Sequence, residues 1–363
     1  MSSVEAKRRP SIDGALFAPH DSPDRSPDAA RSTWLGRTPV ALFAIAAGLF
    51  GLGNAWRAAS SLWGMPVIVG ESVMAMAILA WLAVSALYAA KWIWAREAAR
   101  GEWNHPVQCC FVALSPLTTM LAALAVHRYA PDPARTLFWL GASAQISFMI
   151  YRVGTLWYGG RDPLSTTPVL YLPAVAGNFV VAIVASALGY GVLATLAFGG
   201  GLFSWLALES VVLHRLLVHE PIEKRLLPSL GIQLAPPAVG CVAYLGLYAG
   251  AADRFALMLL GYGLLQALVL LRLAPVFRTQ PFAASYWAFS FGATALALAA
   301  IRLASRTPID EDRAVLTSLA AALFVAANAL VAVILVRTVI LAARGKLIPL
   351  ATVVTPDTGA VAP

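Results

Sequence analysis

The residues best suited to chemistry lie in one stretch, FSWLALESVVLHR (203–215), where Glu209 precedes His214 by five residues and Arg215 by six. A carboxylate and an imidazole about a turn and a half apart on one helix could relay a proton, and inside a membrane such a relay couples transport to the proton gradient. The same residues equally suit an ion pair or a hydrogen-bonded anchor, with Arg152 at a similar depth. A charge there costs about 2.5–3.5 kcal/mol on the lenient insertion scale, so Glu209 must be neutral or partnered. The cysteines Cys109, Cys110 and Cys241 form no CxxC or His/Cys cluster, so no metal and no cofactor is expected. An intramembrane enzyme would need two convergent catalytic groups at depth, and Glu209 has no partner of that kind. No GxxxxGK[ST] stretch occurs, which removes ATP-driven pumping by this chain alone.

The elements that carry these residues follow from composition. Of 363 residues, 60% are hydrophobic and only 12% are Asp, Glu, Lys or Arg. So little charge cannot cover a water-exposed surface, and an all-α integral membrane protein follows, with the lipid bilayer as its first partner. The net charge of +8 is spread over short loops rather than clustered among aromatics, so nucleic acid is not a partner. Residues 1–36 are polar and rich in Pro, Ser, Asp and Arg, which predicts a disordered cytoplasmic tail without a cleavable signal. A ten-helix domain over 37–346 and a second tail over 347–363 complete the division.

Ten apolar runs have spanning length: 38–56, 70–93, 106–126, 134–158, 168–188, 191–218, 229–249, 254–274, 282–304 and 313–342. The tail and the segments at the ends of even spans hold 19 Lys and Arg, against 7 for those at the ends of odd spans. Positive charge stays inside, so both termini are expected in the cytoplasm.

Proline writes an internal repeat. Pro39, Pro106, Pro168, Pro228 and Pro281 open or precede the odd spans. Pro116, Pro173, Pro236 and Pro237 lie within them, and the even spans as bounded have none. Proline frees backbone carbonyls, and such helices are tolerated where they face protein or a water-filled cavity. Gly48, Gly51, Gly53 and Gly292 add further breaks. Five kinked odd helices should therefore form an inner ring around a central pore, within five straight even ones, as five helical hairpins. Arg302 being counted with the loop after span 9, the odd spans hold no Asp, Glu, Lys, Arg or His. The expected lining is Pro116, Thr118, Pro173, Asn178, Gln233, Pro236, Pro237, Ser290 and Thr294. The hydroxyls and amides among them either face the pathway or bond to freed carbonyls. An uncharged ring with five parallel helix N-termini at one mouth suits anions.

Five stretches, HPVQCCFVALSPLTT (105–119), TTPVLYLPAVAGNFV (166–180), FSWLALESVVLHR (203–215), LGIQLAPPAVG (230–240) and SYWAFSFG (285–292), taken with the ten spans, carry a likeness. The chain resembles the family of the bacterial tellurite-resistance protein TehA, the plant guard-cell slow anion channels and the fungal malic acid permeases, over about residues 38–345, most of all the bacterial branch. The resemblance implies a homotrimer in the bacterial inner membrane, each subunit with its own pore for a small anion or a C4-dicarboxylate. It also implies a phenylalanine gate on the ninth helix, which falls on Phe291 beside Gly292; Phe289 points elsewhere. A proton-coupled dicarboxylate or tellurite exporter using Glu209, with His214 near it, is the competing expectation.

Overall fold

The computed structural model describes residues 34–308 and 311–348. The expected tails lie outside the described residues except for their inner ends, where Trp34–Arg37 form one turn of helix. The ten long helices are α1 (Phe43–Trp63), α2 (Val67–Trp94), α3 (Leu114–His127), α4 (Pro131–Trp157), α5 (Gly177–Ala187), α6 (Gly191–Val218), α7 (Ala235–Leu247), α8 (Arg254–Arg272), α9 (Ala288–Arg306) and α10 (Glu311–Ala343). Nine of these, counted with the turns that lead into them, are long and apolar enough among the described residues to cross a bilayer. The other, α4, has the length, with Arg135, Gln145 and Arg152 making it more polar. It also begins before the expected position, with Pro131 and Pro133 in a first turn where the missing N–H has no helical partner.

Odd and even helices differ as the prolines suggest, though the irregularity sits elsewhere than mid-helix. Each odd α-helix is preceded by tighter 3₁₀ turns: Val40–Leu42, Gln108–Ala113, Pro168–Leu170, Lys224–Leu234 and Ala284–Trp287. Before α5 a π-helical turn, Leu172–Ala176, follows as well. Pro116, Pro173, Pro236 and Pro237 all fall at or just after these junctions, where the chain changes helical pitch.

The odd spans are 67–89% buried over their most apolar stretches, whereas α2, α6, α8 and α10 are 22–28% buried. Each odd helix touches the next, and α9 closes on α1, so α1, α3, α5, α7 and α9 form a complete ring. Each even helix packs outside its predecessor and exposes large apolar side chains such as Leu79, Leu196, Phe203, Leu268 and Val333. In water such a surface would aggregate; in lipid it is solvated. Trp94, Trp157 and Tyr158 are exposed at helix ends, the level of the aromatic belt.

The stretch 94–105, expected as a polar loop, is mostly helix, Arg96–Asn104. Its Glu102 pairs with the wholly buried Lys91 at 2.9 Å and accepts from the Val40 amide at 3.2 Å, while Lys91 donates to the Thr38 carbonyl at 2.7 Å. Burial pushes the Glu102 carboxyl above its ordinary range, against the pull of Lys91. The network fixes where α1 begins.

Glycines in α1 mark contacts rather than breaks. A Cβ on Gly48 would lie 2.1 Å from Ser290 Oγ, and one on Gly51 would lie 2.2 Å from Thr294 Oγ1. Small residues let α1 and α9 approach without a hydrophobic driving force. Gly48→Ala should lower stability by about 1–3 kcal/mol through overpacking, and Ser290→Gly should recover part of the loss. Thermal unfolding of the detergent-purified single and double variants checks this; additive losses would show that the seam is loose.

Candidate functional site

Two small cavities lie on the inside of the ring, of about 40 Å³ and about 30 Å³. All five odd spans contribute to both. The last wall residue in the first cavity and the last in the second are seven positions apart in four helices: Ala47 and Asn54, Leu117 and Leu124, Ala176 and Ile183, Ala235 and Val242. Seven residues advance about 10 Å along a helix. The five helices therefore run the same way, with their N-terminal turns around the first cavity and, around the second, the middle of α1 and the C-terminal half of the others.

One residue belongs to both cavities: Phe291, on α9. Its ring is half-buried, and Cδ2 lies 3.5 Å from the position a Cβ on Gly51 would take. Its carbonyl accepts from Thr294 Oγ1 at 3.1 Å. Gly292 beside it is buried against Leu234 and the Ala235 amide, where a Cβ would come within about 3.0 Å of both. It sets the distance from α9 to α7. Phe289 turns away, packing on Gly231, stacking with Tyr286 and meeting Phe277 edge-to-face.

The other expected lining residues stand between helices. Thr118 is fully buried and donates to the Leu114 and Ser115 carbonyls at 2.7 and 3.1 Å. Asn178 donates to the Ala174 carbonyl at 2.7 Å beside Gly200 of α6. Ser290 donates to Trp287 at 2.7 Å, and Thr294 to Ser290 at 2.9 Å. The Pro173 carbonyl accepts from Gln145 of α4 at 2.9 Å, and the Pro116 carbonyl faces Gly141 of the same helix. Pro236 and Pro237 are buried, Pro237 near Gly263 of α8, and Gln233 is buried with its Oε1 unpartnered among the described residues. None of these nine lines either cavity. In the first cavity the one polar side chain is Ser285.

The second cavity holds what the sequence reading assigned to a loop. The helix α9 runs to Arg306, so Arg302 is a helical residue on the cavity wall, which Asn54 of α1 also lines. The run ALALAAIRLASR (295–306) carries this signal, since the arginine sits among apolar residues on both sides.

Glu209 lies outside the ring's interior. It accepts from Tyr171 at 2.6 Å, from Tyr262 at 2.7 Å and from Trp205 Nε1 at 2.9 Å. It thus ties α6 to α8 and to the turn before the π-helix. His214 is exposed and meets the ring of His219 instead; no hydrogen bond or ion pair joins it to Glu209 among the described residues. Arg215 is buried and caps the Glu220 carbonyl at 2.7 Å.

Comparison with known proteins fits this architecture. A family model described as SLAC1, voltage-dependent anion channel, matches residues 37–339. The chain is 38% identical over 260 residues to the tellurite resistance protein TehA homolog of Haemophilus influenzae, covering 71% of this chain and 79% of that protein. It is 26% identical over 320 residues to the guard cell S-type anion channel SLAC1 of Arabidopsis thaliana, covering 85% of this chain and just over half, 56%, of the plant protein. An uncharacterized transporter of Methanocaldococcus jannaschii, MJ0576, is 26% identical over 229 residues, 55% of this chain and 65% of that protein. A closed ring of five buried helices in a multi-pass membrane protein, matched along nearly its whole described length, makes this chain a member of the SLAC1 family of voltage-dependent anion channels.

Proposed function

We propose that the chain passes small anions through a pore along the axis of the ring, and that Phe291 is its gate. The observation that carries this reading is that Phe291 alone is shared by two cavities stacked along the axis. An aromatic ring at that point fills volume and excludes water, the two ways an apolar constriction blocks an ion. Among the described residues the pathway has no ring of carboxylates, and five helix N-termini face its first cavity, each with about half a positive charge. Both features favour anions. All ten long helices span the bilayer in this reading, with both termini in the cytoplasm, as the 19 to 7 distribution of Lys and Arg supports. The protein resides in the bacterial inner membrane as a homotrimer with one pore per subunit, in line with the resemblance of its sequence.

Substrates are small inorganic anions first. Cavities of about 30–40 Å³ have room for a water-sized particle, and a C4-dicarboxylate needs a wider opening and the desolvation of two charges. Glu209, held by three donors away from the cavities, supports a passive channel over a proton-coupled exporter.

Phe291→Ala should give a large constitutive anion conductance in planar bilayers, with nitrate and iodide passing at least as well as chloride and malate more slowly. A side chain that served only packing would instead leave a closed protein destabilised by about 3–5 kcal/mol. Conductance and thermal stability, measured on one preparation, separate these, and a closed, destabilised variant would sink the gate.

Glu209→Gln should lower yield and thermal stability, because three donors lose a charged acceptor. The pH dependence of flux in the surviving protein should not move. Full expression with loss of proton-driven flux would instead establish a coupled exporter.

A further inference from the structure

We propose that Arg302, together with Asn54, forms a binding site for one small monovalent anion in the second cavity. The inference rests on the reading of the ring as a pore. It begins from a difficulty which that reading creates. Five parallel helices place positive dipole ends around the first cavity and negative ends about a turn or more beyond the second, about half a charge each. An anion that has passed Phe291 therefore enters a region where the backbone repels it. Transport through such a ring needs a compensating cation beyond the gate, and it must stand on the pathway rather than beside it.

The arginines at this end of the molecule are not equivalent. Arg57 is committed to Glu71, with contacts of 2.7 and 2.9 Å, and also donates to the Ala125 carbonyl. Arg128 is exposed and reaches Glu71 at 3.5 Å. Arg306 caps the end of α7, donating to the Leu245 and Tyr248 carbonyls at 2.5 and 2.8 Å. Arg302 has no carboxylate within ion-pair distance among the described residues. Its one protein acceptor is the Val242 carbonyl at 3.5 Å, the outer limit of a hydrogen bond. A guanidinium has five N–H donors in a planar fork, so most of its capacity is unspent. Arg302 is half-buried, and it is the charged residue on the cavity wall.

Asn54 supplies the second group. One amide hydrogen goes to the Phe50 carbonyl at 3.0 Å, which orients the side chain and leaves the other N–H for a ligand. The remaining walls are Leu121, Leu124, Ile183, Val239 and other apolar groups, so a bound anion meets few competing dipoles. About 30 Å³ admits one water-sized particle, which excludes a dicarboxylate from the same site. A fork geometry suits a planar oxyanion such as nitrate better than a spherical halide. One arginine and one amide, without a full shell of donors, hold an ion weakly enough to release it.

The test uses the full chain in planar bilayers with Phe291→Ala as background, so that current exists to be measured, and nitrate and chloride as probes. Adding Arg302→Gln should raise the half-saturating nitrate concentration about tenfold, equivalent to ~1.4 kcal/mol. It should also move the reversal potential in a salt gradient toward the cation. Arg306→Gln, whose side chain is spent on carbonyls, should lower thermal stability and leave half-saturation unchanged. If Arg302→Gln does not fold, Arg302→Lys carries the test: an ammonium keeps the charge and loses the fork, so nitrate affinity should fall relative to chloride. Unchanged half-saturation and reversal potential in Arg302→Gln, or an unchanged nitrate-to-chloride ratio in Arg302→Lys, overturns the site while a conducting Phe291→Ala leaves the pore intact. A silent Phe291→Ala overturns the pore, and the site with it.

Discussion

Everything inside this protein answers to one constraint: in hydrocarbon, each backbone N–H and C=O must find a partner within the protein. The inner helices strain that rule by opening with 3₁₀ and π turns and by carrying prolines, which leave carbonyls without their usual donors. The hydroxyls and amides of the ring turn to the backbone as well. Thr118 and Thr119 bond carbonyls one turn back in α3, Asn178 bonds Ala174 before α5, and Ser290 and Thr294 do the same along α9. The Pro173 carbonyl takes its donor from Gln145 on the outer helix α4. Polar side chains engaged with their own backbone are not available to an ion. The largely apolar wall of the first cavity is consistent with that engagement.

The seams between helices follow from the same economy of contact. Lipid tails are as apolar as leucine, so helix association relies on close packing, and close packing needs small residues. Gly48 and Gly51 lie under Ser290 and Thr294, and Gly292 lies against the junction of Leu234 and Ala235. Phe291 is thereby fixed from three sides: α1 approaches its ring at Gly51, Thr294 bonds its carbonyl, and Gly292 sets the distance to α7. A bulky side chain held by such contacts can change rotamer only if its neighbours allow it. In the proposed pore the seam between α1 and α9 would therefore set the constriction as much as the phenylalanine does.

Much of this was legible in the sequence, because span length, proline position and the alternation of odd and even helices are properties of local composition. The closed ring needed only the five-fold repeat as a guide. What the sequence could not give was direction. Thr118, Asn178 and Ser290 have the residue types of a pore lining, yet a hydroxyl on a membrane helix faces either a lumen or its own backbone, and no spacing rule distinguishes the two. Gly48 and Gly51 looked like breaks because a glycine costs helix stability, and their use as contacts depends on α9, more than 200 residues away. Arg302 is hidden for a simpler reason: a lone arginine near the end of a span reads as loop charge in a count of Lys and Arg, although the helix continues to Arg306. Glu209 was recognised as needing a partner, but its three partners are neutral donors on α6, α8 and the turn before α5, a set no charge count would find.

The two halves of the ring face different electrostatic problems. At the first cavity the helix N-termini attract an anion with no charged side chain in the wall, and the resistance there is dehydration against alanine and leucine. At the second cavity the termini oppose the anion, and the side chains must reverse the sign of the field. A single guanidinium about 5 Å from an anion is worth about 3 kcal/mol at an effective dielectric constant near 20. That is comparable with the repulsion of several half-charges at greater distance, and far below the tens of kcal/mol needed to strip a small ion bare. Arg302 can therefore balance the helix ends but cannot replace water. Passage along the proposed pore must then occur through a hydrated lumen, and a plug that keeps water out keeps ions out at no further cost. In the proposed pore an aromatic side chain between two small cavities is sufficient for that purpose, and such a barrier needs no charge of its own.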